Sequence, residues 1–396
     1  MRKIRSLSVL LASFLTACSW GTGKLISDWD TLKDAKQLDC SEIPLHPDDL
    51  RIDKIHLLPD LGPSLLLEVT TRRGVKSWYH LPFKSLSSMD EENLIPLPVS
   101  QESSLLGGGV WQNKAVLILK TIDRGKVVIQ VRDLLNNTVL QQVSAESREI
   151  WDTVDWQLSK GRLRSLVREN KDQESLDDQP HLQFEMQLDS KMATKPRVDL
   201  AKLVIGQARL LLDAQNNSHL IWLDRGTSDQ VRDAGFKSSA WRSQELRSLD
   251  LADKSSIESW TFLEGNIDNV LTYIKGDTLL AANNSIEVIR LSKSYPFAKL
   301  QHMALPLSRV HVARPLLSTS PKADYLLLPQ WLDHELTIGA YKIEAAEIVP
   351  QKFQGVFKEG SSFYAAFYHE PSKDNLLLMK SPGTWTSRYS LCRLAL

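Results

Sequence analysis

The chain has 396 residues, of which 42% are hydrophobic and 24% are charged, with 48 basic and 48 acidic side chains. This composition excludes a disordered or fibrous chain, and the balanced charge gives no sign of a basic nucleic-acid-binding surface. The sequence therefore predicts a globular body that can bury a substantial core.

The first 17 residues differ in character from the rest of the chain. Arg2, Lys3 and Arg5 give a positive start, and residues 7–15 form an apolar run that ends shortly before Cys18. This run is too short to cross a bilayer core of about 30 Å as a helix, which indicates a signal peptide over residues 1–17. No later stretch has eighteen consecutive apolar residues, so we expect no second membrane crossing.

The string Leu15-Thr16-Ala17-Cys18 resembles the lipobox of bacterial lipoproteins. The resemblance implies cleavage before Cys18, a diacylglycerol on its sulfur and a further acyl chain, such as palmitate, on the new amino group. Several acyl chains make anchoring stable. In lipoproteins of enterobacterial type, Ser19 implies an outer-membrane address, with the body in the periplasm or at the cell surface. The alternative is an ordinary cleaved signal in which Cys18 carries no lipid.

We expect residues 18–36, with Gly21 and Gly23, to form a lipidated tether, and residues 37–396 to form one domain. Removal of the signal peptide takes away three basic side chains and leaves 45 basic and 48 acidic ones, a mature net charge of −3. The membrane contact predicted for the mature protein is its lipid anchor alone.

A hairpin pattern recurs through the predicted domain, although no short consensus sequence repeats. In each case a continuously apolar run precedes an alternating apolar and polar run, and Gly74 and Gly125 supply the positive φ of the first two turns. The seven predicted hairpins pair residues 65–69 with 76–81, 115–119 with 126–131, 163–167 with 181–188, 220–223 with 245–251, 278–282 with 286–291, 325–328 with 336–343, and 376–379 with 388–394.

Each hairpin has a strand-like run before it, and each except the last has one after it. The unassigned strand lies at the other end of the domain, at residues 37–43. This arrangement predicts an all-β fold, a β-propeller with seven four-stranded blades, closed by the N-terminal strand pairing with the C-terminal blade. Six or eight blades, or two β-sandwiches in tandem, remain alternatives.

After cleavage two cysteines would remain besides Cys18, namely Cys40 and Cys392. Each lies in one of the two strands predicted to meet in the last blade. We expect a disulfide between them because the predicted compartment permits one. Two free thiols are the alternative.

The sequence offers no motif that defines a catalytic site. The nine histidines are scattered without an H-E-x-x-H spacing, and no G-x-S-x-G motif is present. We therefore predict no catalytic residues, no metal site and no cofactor. The run Gly107-Gly108-Gly109 continues into a strand, which favours close packing of the backbone over binding of a ligand.

The long links between second and third strands offer the best candidates for a binding surface. These links, 169–180, 225–241 and 329–335, lie on one face of a propeller and include Phe236, Trp241, Trp331 and His334. Aromatic side chains among polar ones are typical of protein interfaces. Packing of these side chains onto their own blade is the alternative.

The leading hypothesis is a non-catalytic, membrane-tethered propeller that binds an envelope or cell-surface protein through this loop-rich face. In plan the chain is similar to the propeller lipoprotein of the outer-membrane barrel-assembly machinery, without a shared motif, so the likeness implies architecture only. The alternative is an envelope enzyme, a glycan or peptide hydrolase with acidic residues at the central funnel. A third possibility is capture of a small ligand in the central channel.

Overall fold

The computed structural model describes residues 38–58, 64–144, 151–169, 181–188, 195–199, 208–215, 218–224, 242–250, 257–265, 270–275, 278–282, 285–292, 299–306, 315–332, 334–344, 347–382 and 388–396. Strands dominate these residues, and they form seven antiparallel four-stranded sheets. We number the sheets as blades 1 to 7 in chain order. The predicted all-β propeller fold is confirmed.

The first three blades are each built from four consecutive strands. Blade 1 contains β2 (Asp49–Leu57), β3 (Ser64–Thr71), β4 (Lys76–Pro82) and β5 (Ile95–Leu97), with two short 3-10 helices, Leu86–Ser88 and Glu91–Asn93, before β5. Blade 2 contains β6 (Ser104–Trp111), β7 (Lys114–Asp123), β8 (Lys126–Asp133) and β9 (Thr138–Ser144). Blade 3 contains β10 (Trp151–Ser159), β11 (Arg162–Glu169), β12 (His181–Gln187) and β13 (Lys195–Asp199).

The next three blades repeat the same order. Blade 4 contains β14 (Ala208–Leu212), β15 (Ser218–Asp224), β16 (Arg242–Asp250) and β17 (Ile257–Gly265). Blade 5 contains β18 (Val270–Lys275), β19 (Thr278–Ala282), β20 (Ser285–Leu291) and β21 (Lys299–Pro306). Blade 6 contains β22 (Leu316–Thr319), β23 (Asp324–Leu332), β24 (Glu335–Ile343) and β25 (Ile348–Phe357).

Blade 7 combines strands from both ends of the domain. Its first three strands are β26 (Ser362–His369), β27 (Asp374–Ser381) and β28 (Arg388–Leu394), and its fourth is β1 (Cys40–Glu42). β1 pairs antiparallel with β28, and Cys40 lies opposite Cys392. The two cysteines form a disulfide with a Cα–Cα distance of 4.0 Å. The expected strand pairing and disulfide are therefore present.

The core lies between neighbouring blades, where apolar faces of adjacent sheets meet. In the seam between blades 7 and 1, Leu65, Leu67 and Leu81 pack with Leu378 and Leu391, all fully or almost fully buried. Comparable clusters join blade 1 to blade 2, blade 2 to blade 3, blade 5 to blade 6 and blade 6 to blade 7. The first strand of each predicted hairpin is the second strand of a blade. Burial of both its faces explains why it reads as a continuous apolar run.

Alternating strand directions give the domain two faces. The upper face carries the links between second and third strands and the links between blades. The lower face carries the links between first and second strands and between third and fourth strands. β1 is the fourth strand of blade 7 and runs antiparallel to β28, so the chain preceding Cys40 comes to the sheet from the lower face.

One predicted link on the upper face is wrong. The segment 329–335 is not a loop insertion, because Pro329 pairs with Ile338 and Trp331 pairs with Leu336 within the hairpin of β23 and β24. The apolar alternation of β23 continues to Leu332 and leaves a two-residue turn that includes His334, at φ 72°. The links 170–180 and 225–241 lie outside the described residues.

Candidate protein-binding face

The upper ends of strands in blades 6, 7 and 1 carry apolar and aromatic side chains. We call Leu50, Trp331, Val356 and Tyr364 the aromatic rim. Each lies within three residues of the upper end of its strand. Tyr364 is 46% exposed, Val356 44% and Leu50 40%. The rim therefore offers the apolar contact that a protein interface uses.

Trp331 is anchored within the rim. It is half-buried and packs against the apolar cluster between blades 6 and 7, to which Phe357 and Phe363 also belong. The rings of Phe357 and Phe363 meet edge to face, with their centroids 5.0 Å apart and an angle of 77°. The packing of Trp331 against the cluster is therefore observed, and the side chain stays only partly buried.

Tyr364 lies beside the buried Tyr389 of β28. The ring centroids are 5.5 Å apart, and the Lys380 ammonium lies 5.7 Å from the centre of the Tyr389 ring, within cation–π range. Burial raises the pKa of Tyr389 well above its ordinary value, and a hydrogen bond with Tyr364 and the negative charge of Asp53 raise it further. Tyr389 is therefore a neutral support for the exposed Tyr364 ring.

A polar group on β2 borders the rim in blade 1. The Arg51 Nε donates to Asp53 Oδ1 at 2.8 Å, and the Thr70 hydroxyl donates to Asp53 Oδ2. The Arg51 side chain is 56% exposed, whereas that of Asp53 is 22% exposed. Arginine and tyrosine are among the residue types enriched at interface hot spots.

Asp49, at the upper end of β2, is a buried carboxyl beside this polar group. Tyr79 donates a hydrogen bond to its Oδ1 at 3.5 Å, and within the described structure its Oδ2 has no hydrogen-bond partner. Burial raises the pKa of Asp49, against the opposing effects of His46 and Tyr79. Asp49 and Tyr364 were not predicted from the sequence, because alternation within a strand shows which residues share a side but not which strand end is left uncovered.

The predicted binding residues have three different outcomes. Trp331 lies in the rim, and His334 is exposed in the adjacent turn. Phe236 and Trp241 lie outside the described residues, as does the predicted lipidation site Cys18. The structure therefore brings together only Trp331 and His334, and the binding role of all four side chains stays a prediction.

The glycine run of β6 is covered by blade 3. The Trp156 Nε1 donates to the Gly108 carbonyl at 3.1 Å. A methyl group added at Gly107 would lie 2.8 Å from Leu163 and 2.9 Å from Trp156, and one added at Gly109 would lie 3.1 Å from Leu158. The predicted close packing is thus the reason for these glycines, since only a residue without Cβ fits beneath the indole.

The described side chains contain no group of three or more His, Cys, Asp or Glu residues placed to hold a metal ion. Within the same part of the chain, no helix is both long and apolar enough to cross a membrane.

Comparison with known proteins supports the architecture. No protein-family model matches the chain. No curated protein matches it either. The β-propeller domain of Cps50 (Swd1) from Myceliophteria thermophila is similar in structure, with a TM-score of 0.51 and 11% identity over 90% of this chain and 100% of that one.

Two other solved structures match with lower TM-scores. The WD40 domain of SCAP from fission yeast has a TM-score of 0.47 and 10% identity, over 91% of this chain and 98% of that one. A prolyl endopeptidase structure has a TM-score of 0.45 and 10% identity, over 86% of this chain and 48% of that one. Together with the four-stranded sheets, the Cps50 likeness defines the chain as a β-propeller protein. At 11% identity it shows the fold alone.

Proposed function

We propose that this protein is a membrane-tethered, non-catalytic scaffold that binds another envelope or cell-surface protein through its upper face. The supporting observation is that the aromatic rim and the start of the domain lie on opposite faces. β1 is approached from the lower face, while Leu50, Val356 and Tyr364 are exposed on the upper face. A lipid anchor at Cys18 would hold the lower face toward the bilayer and leave the rim free for a partner.

The chemistry of the rim indicates what kind of partner it fits. The exposed Tyr364 ring and the half-buried Trp331 ring offer contact area at a small cost in side-chain entropy, and Arg51 adds a charged donor at the edge. Such a surface suits a folded protein partner with a complementary apolar patch and a carboxylate. The supports of the rim, the buried Tyr389 and the partly buried Phe357, limit rearrangement on binding.

Site-specific photo-cross-linking in intact cells tests the proposal. A benzophenone amino acid at position 364 is compared with the same group at position 322, an exposed turn residue on the lower face. We expect a discrete protein adduct from position 364 that is absent from position 322. The double variant Tyr364→Ala, Val356→Ser should reduce the recovery of that partner by roughly tenfold or more.

Two outcomes would contradict the proposal. Equal adducts from positions 364 and 322, or unchanged recovery with the double variant, would rule out the rim as the contact surface. The anchor is tested separately by mass spectrometry of the mature N-terminus, where Cys18→Ser should abolish the acyl mass and release the protein from membranes. An unmodified Cys18 would reject the anchor and leave the rim proposal standing.

A further inference from the structure

The lower face carries its own exposed apolar group, in blade 2. Leu135, in the turn between β8 and β9, is 70% exposed, and Val110, near the lower end of β6, is 55% exposed. Val110 pairs with Ala115, whose carbonyl accepts the Leu134 N–H at 2.8 Å, so the backbone at Val110 and the backbone at Leu134 are separated by two strand spacings, about 10 Å. Both exposed side chains therefore belong to the lower end of blade 2.

Leu135 is held outward by a rigid turn. The Asp133 Oδ1 accepts the N–H groups of Leu135 and Asn136, both at 3.1 Å, and its Oδ2 accepts the Asn136 side-chain amide at 3.0 Å. Burial alone would raise the pKa of Asp133, but these hydrogen bonds and the Lys114 ammonium, 3.5 Å away, lower it below its ordinary value. The turn is thus fixed by a buried, ionised carboxylate.

The other side of the same turn is fixed by blade 1. Asn137, at φ 52°, donates from its side-chain amide to the Pro96 carbonyl at 3.3 Å, while the Arg132 guanidinium donates to the Asn137 carbonyl at 3.4 Å. Leu134, the residue before Leu135, is buried in the seam between blades 1 and 2. A leucine exposed at the tip of a turn that is fixed on both sides is presented to a contact in advance of binding.

The start of the domain lies on this same face. Leu38 packs against the cluster between blades 6 and 7, and the Asp39 carbonyl accepts the Arg393 N–H at 2.8 Å. Leu38 is only 20 residues after Cys18 in the sequence. An anchored domain would therefore stay close to the bilayer with its lower face nearest to it.

We propose that the lower face of blade 2, through Leu135 and Val110, contacts the lipid surface that carries the anchor. This inference rests on the lipid anchor of the proposed function. A lipid anchor at Cys18 would hold the domain at the surface at an effective concentration of the order of millimolar, so even a weak contact would be populated. The lower face carries both basic residues, such as Lys322 and Lys373, and acidic ones, such as Glu91, so burial of apolar groups in the interfacial region supplies the contact.

Hydrogen exchange of the full lipoprotein tests the contact. The mature protein is compared in detergent and in vesicles of phosphatidylethanolamine with phosphatidylglycerol. We expect backbone amides of residues 111–114 and 134–138 to exchange roughly threefold or more slowly in vesicles. The turn between β7 and β8, which lies on the upper face of the same blade, should be unchanged.

Matched variants separate this contact from other causes. Val110→Ser with Leu135→Ser should abolish the protection in vesicles without lowering the melting temperature, whereas Leu135→Phe should retain it and Val356→Ser on the upper face should have no effect. Equal exchange in detergent and vesicles, with acylated Cys18 verified by mass, would overturn the contact but not the scaffold proposal. Protection that appears only in native envelopes and not in lipid vesicles would assign this surface to a protein and would also overturn it.

Discussion

Blades 2 and 7 fix their outer strands in different ways. In blade 2 the outer strand β9 follows β8 directly, through a turn whose hydrogen bonds converge on Asp133. In blade 7 the outer strand β1 has only three residues and no connecting turn, and it is held by the disulfide and by ion pairs of Glu42 with Arg388 at 3.2 Å and Asp39 with Arg393 at 3.4 Å. A covalent link therefore replaces local turn chemistry where the two ends of the domain meet.

The largest expected effect comes from breaking that link. Replacing Cys40 and Cys392 with alanine should lower the free energy of unfolding by roughly 2–5 kcal/mol, because the bond closes a loop with a sequence separation of 352 residues. Exposed ion pairs contribute at most about 1 kcal/mol each, so they cannot compensate for its loss. Chemical denaturation under oxidising conditions measures the difference.

Hydrogen exchange shows whether the loss is local to blade 7. In the double alanine variant the amides of Ile43 and Arg393, which bond across to Tyr389 and Asp39, should exchange faster, while those of β9 should not change. Uniformly faster exchange across both blades would mean that the disulfide stabilises the whole ring and not its closing strand.

The pH dependence of the seam between blades 1 and 2 should be the next largest effect. His80, which lies opposite Leu66, is 2% exposed, and neither of its ring nitrogens has a partner among the described residues. Burial lowers the pKa of His80 from 6.5 to about 4. The folded protein therefore disfavours the protonated form, and its stability falls as the pH drops from about 6.5 to about 4, by on the order of 3 kcal/mol.

The variant His80→Leu isolates this contribution. It should be as stable as the native protein or more so at pH 7, because it replaces an unpartnered polar ring with an apolar side chain. Its denaturation midpoint should fall less between pH 6.5 and pH 4. If the denaturation midpoint fell equally in the two proteins over this pH range, His80 would not be the group responsible for the loss of stability.

A smaller loss of stability is expected from a substitution in β6, the inner strand of blade 2, where blade 3 covers it. Gly107→Ala should cost roughly 1–3 kcal/mol, since the new methyl group would overlap Trp156 and Leu163. Gly74→Ala is the matched control. Nothing lies within 4 Å of its added methyl group, and only its φ of 75° opposes the change, so about 1 kcal/mol is expected. Equal melting temperatures for the two variants would contradict the packing account.

The sequence predicted the architecture better than the surface. Alternating and continuous apolar runs marked the strands, because burial on one or both sides of a sheet determines which positions are apolar. The pairing of β1 with β28 followed from a surplus strand at one end and a missing strand at the other. The predicted disulfide indicated the same pairing, since Cys40 lies in β1 and Cys392 in β28.

The candidate binding surfaces were much harder to predict. Trp331 was predicted to lie in a loop between the second and third strands of its blade, although it lies within β23, opposite Leu336. Leu135 and Leu134 are identical in the sequence, yet one is 70% exposed and the other is buried at 1%. The difference depends on the turn at Asp133 and on contacts with blade 1, which a one-dimensional pattern does not contain.

Asp133→Ala provides the most local test of the comparison between the two blades. It removes the acceptor for the Leu135 and Asn136 N–H groups and the partner of Lys114, and we expect a loss of roughly 1–2 kcal/mol in the free energy of unfolding. Because the pKa of Asp133 is lowered, the native turn should weaken as the pH falls through that pKa, and the alanine variant should lack this dependence. Exchange of the residue 134–138 amides, measured with residues 40–43 as the reference, reports the turn directly. If β9 stayed fully protected without Asp133, its pairing with β8 would suffice to hold it, and the turn would serve only to present Leu135.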